Sequence, residues 1–182
     1  MVETIIGQIL GIFATILTFL SYQSNSKQKL LIIQTSATMS TCISYFFLNA
    51  MSGFWLNIVC LCRNILYYFE KQNSKFNLVS GIIFAIIMAI LGALSWQGYI
   101  SILIIIALML NTIILSLGKP QLLRQSILLT SSLVIIYNVY VFSIGGILNE
   151  SLAIISSIAS FFSLIVSAKK VLSSPDNTLY KE

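Results

Sequence analysis

The chain of 182 residues contains no histidine, and its aspartates and glutamates together number five. Those absences remove most enzyme chemistry at the outset. A Ser/His/Asp relay, an HExxH zinc helix or a pair of carboxylates leaves no assembled candidates here for acid, base and nucleophile, so the chain is not expected to be an enzyme. Cysteine is scarce too, and Cys42, Cys60 and Cys62 all fall inside apolar stretches. Cys60 and Cys62 alone are too few ligands for zinc and read as small apolar fillers, so neither a metal nor a cofactor is expected. Only 8% of the residues are charged, against about 25% in a soluble domain. With 58% hydrophobic residues and a mean hydropathy of +0.97, the chain is predicted to lie in a lipid bilayer. Neither of the two prolines falls inside a predicted apolar segment. Glu3 stands before the first apolar run and no basic residue does, which is unlike the charged start of a cleaved leader. That run is expected to be a retained first helix.

What the sequence does hold is a series of apolar runs of roughly 20 residues, the length that spans a hydrocarbon core of about 30 Å. Seven segments are predicted, at about 4–22, 29–49, 52–69, 77–95, 98–117, 121–143 and 147–168. The connections alternate in character. SNSKQK, EKQNSK, GKPQ and the tail from Lys169 carry lysine, whereas NAMSG, SWQG and SIGG carry none. The net charge of +5 is thus scattered singly between apolar runs, a topology signal rather than a nucleic-acid surface. Seven crossings with the lysines inside place the N-terminus outside and the C-terminus in the cytoplasm.

The stretch YNVYVFSIGGILNES from Tyr137 has an ungapped echo in YFFLNAMSGFWLNIV from Tyr45. At an offset of 92 residues Tyr45 meets Tyr137, Gly53 meets Gly145, Leu56 meets Leu148 and Asn57 meets Asn149. Such self-similarity points to a duplicated unit. A three-helix unit repeated directly would be inverted, so one extra crossing is needed to let both copies run the same way. The predicted fold is therefore all-α and polytopic: two parallel three-helix bundles, 1–70 and 97–168, joined by a linker helix in 71–96, with a cytoplasmic tail at 169–182. Gly81, Ala85, Ala89 and Ala93 recur every four residues on the linker and are expected to form a ridge for close helix packing.

This 3+1+3 order, the outside N-terminus and the corner at Lys119, Pro120 and Gln121 resemble the SWEET and PQ-loop superfamily of small-solute carriers. More narrowly, Arg124, the Tyr137–Asn138 pair, the corner Ser143 to Gly146 and the acid Glu150 resemble the YgjV family of bacterial inner-membrane proteins. The resemblance implies a carrier that moves a small polar solute by rocking of its two bundles. It also implies that Asn57 and Asn149 face each other across a central cavity. The first repeat departs from the pattern with Gln28–Lys29 where the second has Pro120–Gln121.

An amide both donates and accepts, as recognition of a neutral polar solute requires, and the competing role of Asn57 and Asn149 is interhelical hydrogen bonding. Asn64 lies two turns beyond Asn57 on the same face. Tyr45 and Tyr137 are further candidates to line the solute site, followed by Asn111 and Asn138, whose repeat partners Phe19 and Phe46 are aromatic. Thr38, Thr130 and the serines Ser156, Ser160, Ser163 and Ser167 fit helix packing better. Glu150 breaks the symmetry by aligning with Ile58. It is either an acid in the headgroup zone at an outer helix start or a gating or proton-coupling group. Arg63 and Arg124 read as topology anchors, with Arg63 roughly 9 Å from the inner end and within snorkelling reach. A non-transporting scaffold that packs through the Gly81 ridge is the alternative to the carrier. The bilayer is the expected partner, and the oligomeric state is left open.

Overall fold

Apolar runs broken by short polar corners give seven helices: α1 Val2–Tyr22, α2 Lys27–Phe47, α3 Met51–Phe69, α4 Ser74–Leu94, α5 Ser101–Ser116, α6 Pro120–Tyr140 and α7 Ile144–Leu172. The computed structural model describes residues 2–22, 27–69, 74–117 and 120–172. Most of the lysine-bearing connections, the tail from 173, and the side chains of Arg124, Ser160, Ser163 and Ser167 lie outside the described residues. Every predicted segment has its helix, with ends displaced by only a few residues. Two helices, at Val2–Ser21 and Phe76–Leu94, are by themselves long and apolar enough to cross a membrane. The apolar parts of α5, α6 and α7 are shorter, and α2 and α3 carry polar side chains that face neighbouring helices.

α2 and α6 end alike. Asn49 and Phe142 take left-handed φ values of 57° and 54°, which lets the next N–H fold back on the helix. Ala50 thereby donates to the Tyr45 carbonyl at 2.9 Å, and Ser143 to the Asn138 carbonyl at 2.8 Å, a Schellman ending. Asparagine tolerates this backbone, whereas a phenylalanine there is strained. The Leu48–Ser44, Asn49–Phe46 and Phe54–Ala50 bonds of the first corner recur as Val141–Tyr137, Phe142–Val139 and Ile147–Ser143. The two corners therefore superpose in the chain at 93 residues, not at the 92 of the sequence echo. One residue is about 100° on a helix, so the correction changes every facing pair. Tyr45 corresponds in position to Asn138, Gly53 to Gly146, and Asn57 to Glu150 rather than to Asn149.

Packing follows chain order around a closed ring. α1 lies on α2, α2 on α3, α3 on α5, α5 on α6, α6 on α7, and α7 returns to α1, while α4 packs on α3 and α5. α3 and α5 run parallel, since Ser52 meets Ser101 and Arg63 meets Thr112 at one spacing. The α1–α7 seam is closer than side chains allow: a Cβ on Gly145 would overlap the Gly11 backbone. Thr15 Oγ1 donates across that seam to the Gly145 carbonyl at 2.9 Å. Gln8 clasps the α7 entrance, donating to the Phe142 carbonyl and accepting from Ile144 N–H.

The interior is divided. Leu56, Val59, Cys60, Met88 and Ile104 form an apolar core between α3, α4 and α5, whereas Gly7, Gly11, Thr15, Ser40 and Ser44 make the α1 and α2 side small and polar. In lipid, contact of this kind holds helices together by close packing and hydrogen bonds rather than by a hydrophobic drive.

α4 corrects the expected ridge. Gly81 and Ala85 are buried, and a Cβ on Gly81 would overlap Ser116 of α5. Ala89 is only half-buried and Ala93 is exposed. A four-residue repeat turns about 40° further at each step on a 3.6-residue helix, so it drifts off any contact face. The residues that stay against α5 are Gly81, Ala85, Met88 and Gly92, where Met88 Sδ meets Thr112 Oγ1 and a Gly92 Cβ would meet Ile105. The opposite face, with Ile82, Ile83, Ile86 and Ile90, is open.

Candidate functional site

The corners set the depth of the site. Tyr45 lies just before the α2 corner, Tyr137 and Asn138 just before the α6 corner, so α2 and α6 bring all three together in the interior. The tyrosine rings meet edge to face with centroids 6.1 Å apart. Tyr45 donates its hydroxyl proton to Asn138 Oδ1 at 2.7 Å, and Gly53 N–H donates to the Tyr137 hydroxyl oxygen at 3.0 Å. Asn138 is fully buried, its Nδ2 has no hydrogen-bond partner, and Gly146 leaves the space it fills. A buried amide donor without a protein partner costs about 1–3 kcal/mol unless a water or a ligand satisfies it.

Beside it, a cavity of about 20 Å³ lies between α1, α2 and α7, lined by Thr41, Ser44, Tyr45, Asn149 and Glu150 with the glycines of the seam. That is room for about one water-sized species. Glu150 is the seventh residue of α7, roughly 9 Å along the helix from Ile144. Its carboxylate accepts from Asn149 Nδ2 at 3.2 Å and is faced by the buried Ser131 of α6. It is thus turned toward the protein interior rather than away from it. Asn149 Oδ1 is buried with no partner.

A second, wider space of about 300 Å³ opens at the corner end, lined by Asn49, Gln97, Ser101, Tyr137, Tyr140 and Phe142 among others. Gln97 shapes it by donating to the Asn49 carbonyl at 2.8 Å and accepting from Ser52 N–H at 3.2 Å. Tyr137 therefore belongs both to this vestibule and to the buried cluster.

The remaining candidates lie elsewhere. Asn57 is half-buried and turns its amide onto its own helix, donating to the Gly53 carbonyl at 2.8 Å. It lines neither cavity. Asn111 is half-buried on α5 and also lines neither. Asn64 serves Arg63, accepting from Nε at 3.3 Å and Nη2 at 3.0 Å, while Nη1 donates to Thr112 Oγ1 at 2.7 Å. Arg63 is 5% exposed, so it does not snorkel. It ties α3 to α5 through neutral acceptors. Thr38 and Thr130 bond back to their own helices, as packing hydroxyls do.

Several contributors escaped the sequence reading. Gln8 and Gln97 carry no motif, and their only sequence signal is a lone amide next to aliphatic or aromatic residues. Thr41 and Ser44 gave no signal beyond their place one turn from Tyr45.

No curated protein and no solved structure matches the chain. The profile of a family described as bacterial inner membrane protein, Imp-YgjV, matches residues 5–167. That span takes in every described helix except the two ends, and with it both corners, both cavities and the Gly11–Gly145 seam. The chain belongs to the Imp-YgjV family of bacterial inner-membrane proteins.

Proposed function

We propose that the protein is a carrier for a small polar solute, built on the SWEET-like plan of two three-helix bundles joined by α4. The observation that carries this reading is the incompletely satisfied polar cluster of Tyr45, Tyr137, Asn138, Asn149 and Glu150 inside a membrane protein, with Tyr137 shared by a vestibule of about 300 Å³. Polar groups within a bilayer are expensive and mark solute or ion pathways. The vestibule is of the size that takes a small ligand.

The two-bundle plan is supported by the corners repeated at 93 residues and by the order of packing, in which α1–α2–α3 against α5–α6–α7 gives equivalent seams at α7–α1 and α3–α5. Rocking would part the groups that join the bundles at the corner end: Gln8 with Phe142 and Ile144, Tyr45 with Asn138, and Ser52 with Ser101. The lysine pattern orients that end outward, with the N-terminus outside and the C-terminus cytoplasmic. A scaffold acting through Gly81 and Ala85 is disfavoured, because Gly81 is closed against Ser116 of α5 and Ala85 is buried within the protein.

The test is uptake of a panel of labelled sugars, amino acids and small amines into proteoliposomes of the full chain. At least one solute is expected to enter faster than into empty liposomes, and Tyr45→Phe should slow it by about tenfold, the effect of one lost hydrogen bond of about 1.4 kcal/mol. No uptake of any solute, or uptake indifferent to Tyr45→Phe, would refute the proposal.

A further inference from the structure

Three of the hydroxyls around the small cavity are committed in one direction. Thr41 gives its proton to the Ala37 carbonyl at 3.0 Å, Ser44 to the Gly7 carbonyl at 2.6 Å, and Tyr45 to Asn138 Oδ1 at 2.7 Å. A hydroxyl has a single proton to donate, so each of these three can offer only lone pairs to the cavity they line. Asn149 adds a buried carbonyl oxygen without a partner, and one of the two protons on its amide nitrogen goes to Glu150. Glu150 adds a carboxylate. Ser143 is the one hydroxyl whose proton is uncommitted by these bonds, and its oxygen already accepts from Gly146 N–H at 3.2 Å.

A cavity of this kind lacks what it needs to be satisfied. Its side chains present mostly acceptors, with a negative charge at Glu150, and among the described residues the buried Arg63 is engaged with Asn64 and Thr112 between α3 and α5. A water molecule could supply two protons but no charge. The positive end of the α7 dipole at Gly145 lies close by and opposes a cation, and the negative end of α2 beside Tyr45 favours one; the full charge of Glu150 outweighs both partial charges. Oxygen ligands of this hardness suit a hard cation. The volume of about 20 Å³ admits one the size of a water, and a single carboxylate balances a single charge.

We propose that this cavity is a binding site for a small monovalent metal cation, sodium in the first instance, held by Glu150, Asn149 Oδ1 and the hydroxyl oxygens of Thr41, Ser44 and Tyr45. The inference rests on the carrier reading only for its purpose, in which the ion is the coupling ion. As a binding site it stands by itself.

The experiment is thermal unfolding of the purified full chain in detergent, with sodium exchanged for choline at constant ionic strength and fixed pH, together with direct binding of radioactive sodium. Sodium should raise the unfolding temperature in a saturable way. Glu150→Gln should abolish the shift, and Thr41→Val, which removes one ligand and keeps the shape, should weaken sodium affinity by about tenfold, the effect of about 1.4 kcal/mol. Thr41→Val keeps the test decisive if Glu150→Gln does not fold. The proposal is overturned if sodium and choline give the same unfolding temperature, or if Thr41→Val binds as the parent does. It is equally overturned if acidification alone gives the whole stabilisation, since a proton would then be neutralising Glu150. Sodium binding in a protein that takes up no solute would sink the carrier reading and leave this site standing. Uptake with no sodium binding would do the reverse.

Discussion

The α1–α7 seam offers a test that compares two methyl groups at one contact. A Cβ on Gly145 would lie inside the Gly11 backbone, where no side chain can yield, whereas a Cβ on Gly11 would meet Ser44 Oγ at 3.1 Å and Gly145 Cα at 3.3 Å. Gly145→Ala must therefore push α1 and α7 apart, lengthening the Thr15 bond to the Gly145 carbonyl and loosening the Gln8 clasp. Overpacking of this kind costs about 1–3 kcal/mol, and losing the Thr15 bond adds about 1 kcal/mol. In a chain of this size each kcal/mol moves the unfolding temperature by about 2–4 °C, so Gly145→Ala should unfold roughly 4–16 °C lower. Gly11→Ala gains up to about 1 kcal/mol of helix propensity against a milder collision and should stay within a few degrees. The assay can use the protein's own thiols. Cys42 and Cys60 are buried and Cys62 is exposed, so in a Cys62→Ser background a thiol-reactive dye reports unfolding. Equal stability of the two alanine variants, or Gly11→Ala as the worse one, would refute the seam.

Further outcomes follow from the same packing. Ala85→Leu should destabilise by about 1–3 kcal/mol because Ala85 is buried, while Ala93→Leu, on the open face, should leave the unfolding temperature unchanged in the same dye assay. Phe142→Gly should raise stability by about 1 kcal/mol by relieving the left-handed backbone, a gain readable as a higher melting temperature. Thr112→Val should cost about 1–3 kcal/mol, since it strips an acceptor from the buried Arg63, and Arg63→Met should repair most of that loss by removing the charge as well; a double-mutant cycle measures both.

Helix number and approximate bounds were legible because apolar runs and polar corners are written residue by residue. Their register was not. The sequence echo aligned like with like, Tyr45 with Tyr137 and Asn57 with Asn149, but position is set by the left-handed residues Asn49 and Phe142, which share no chemistry. That single-residue slip explains why Asn149 reaches a cavity while Asn57 bonds to its own helix. The echo partner of Asn138 is aromatic, which hides its role as the buried acceptor of Tyr45. On α4, a strict four-residue spacing looked like a ridge, and the 3.6-residue turn moves Ala93 off the face that Met88 and Gly92 occupy. Distance along the chain puts Arg63 within snorkelling reach of the inner end, yet its guanidinium turns inward to Asn64 and Thr112. Which way each side chain points around its helix, and which neutral partners wait there, depends on the ring of neighbours and is not contained in distance along the chain.

The central claim is that solute passes the cluster around Tyr45, Asn138 and Asn149, and one comparison addresses it most directly: initial uptake rates in proteoliposomes of Asn149→Ala and Asn57→Ala beside the parent protein. The account predicts a loss of about tenfold in Asn149→Ala, the effect of about 1.4 kcal/mol, and a rate close to the parent's in Asn57→Ala. A loss confined to Asn57→Ala, or no loss in either, would contradict it.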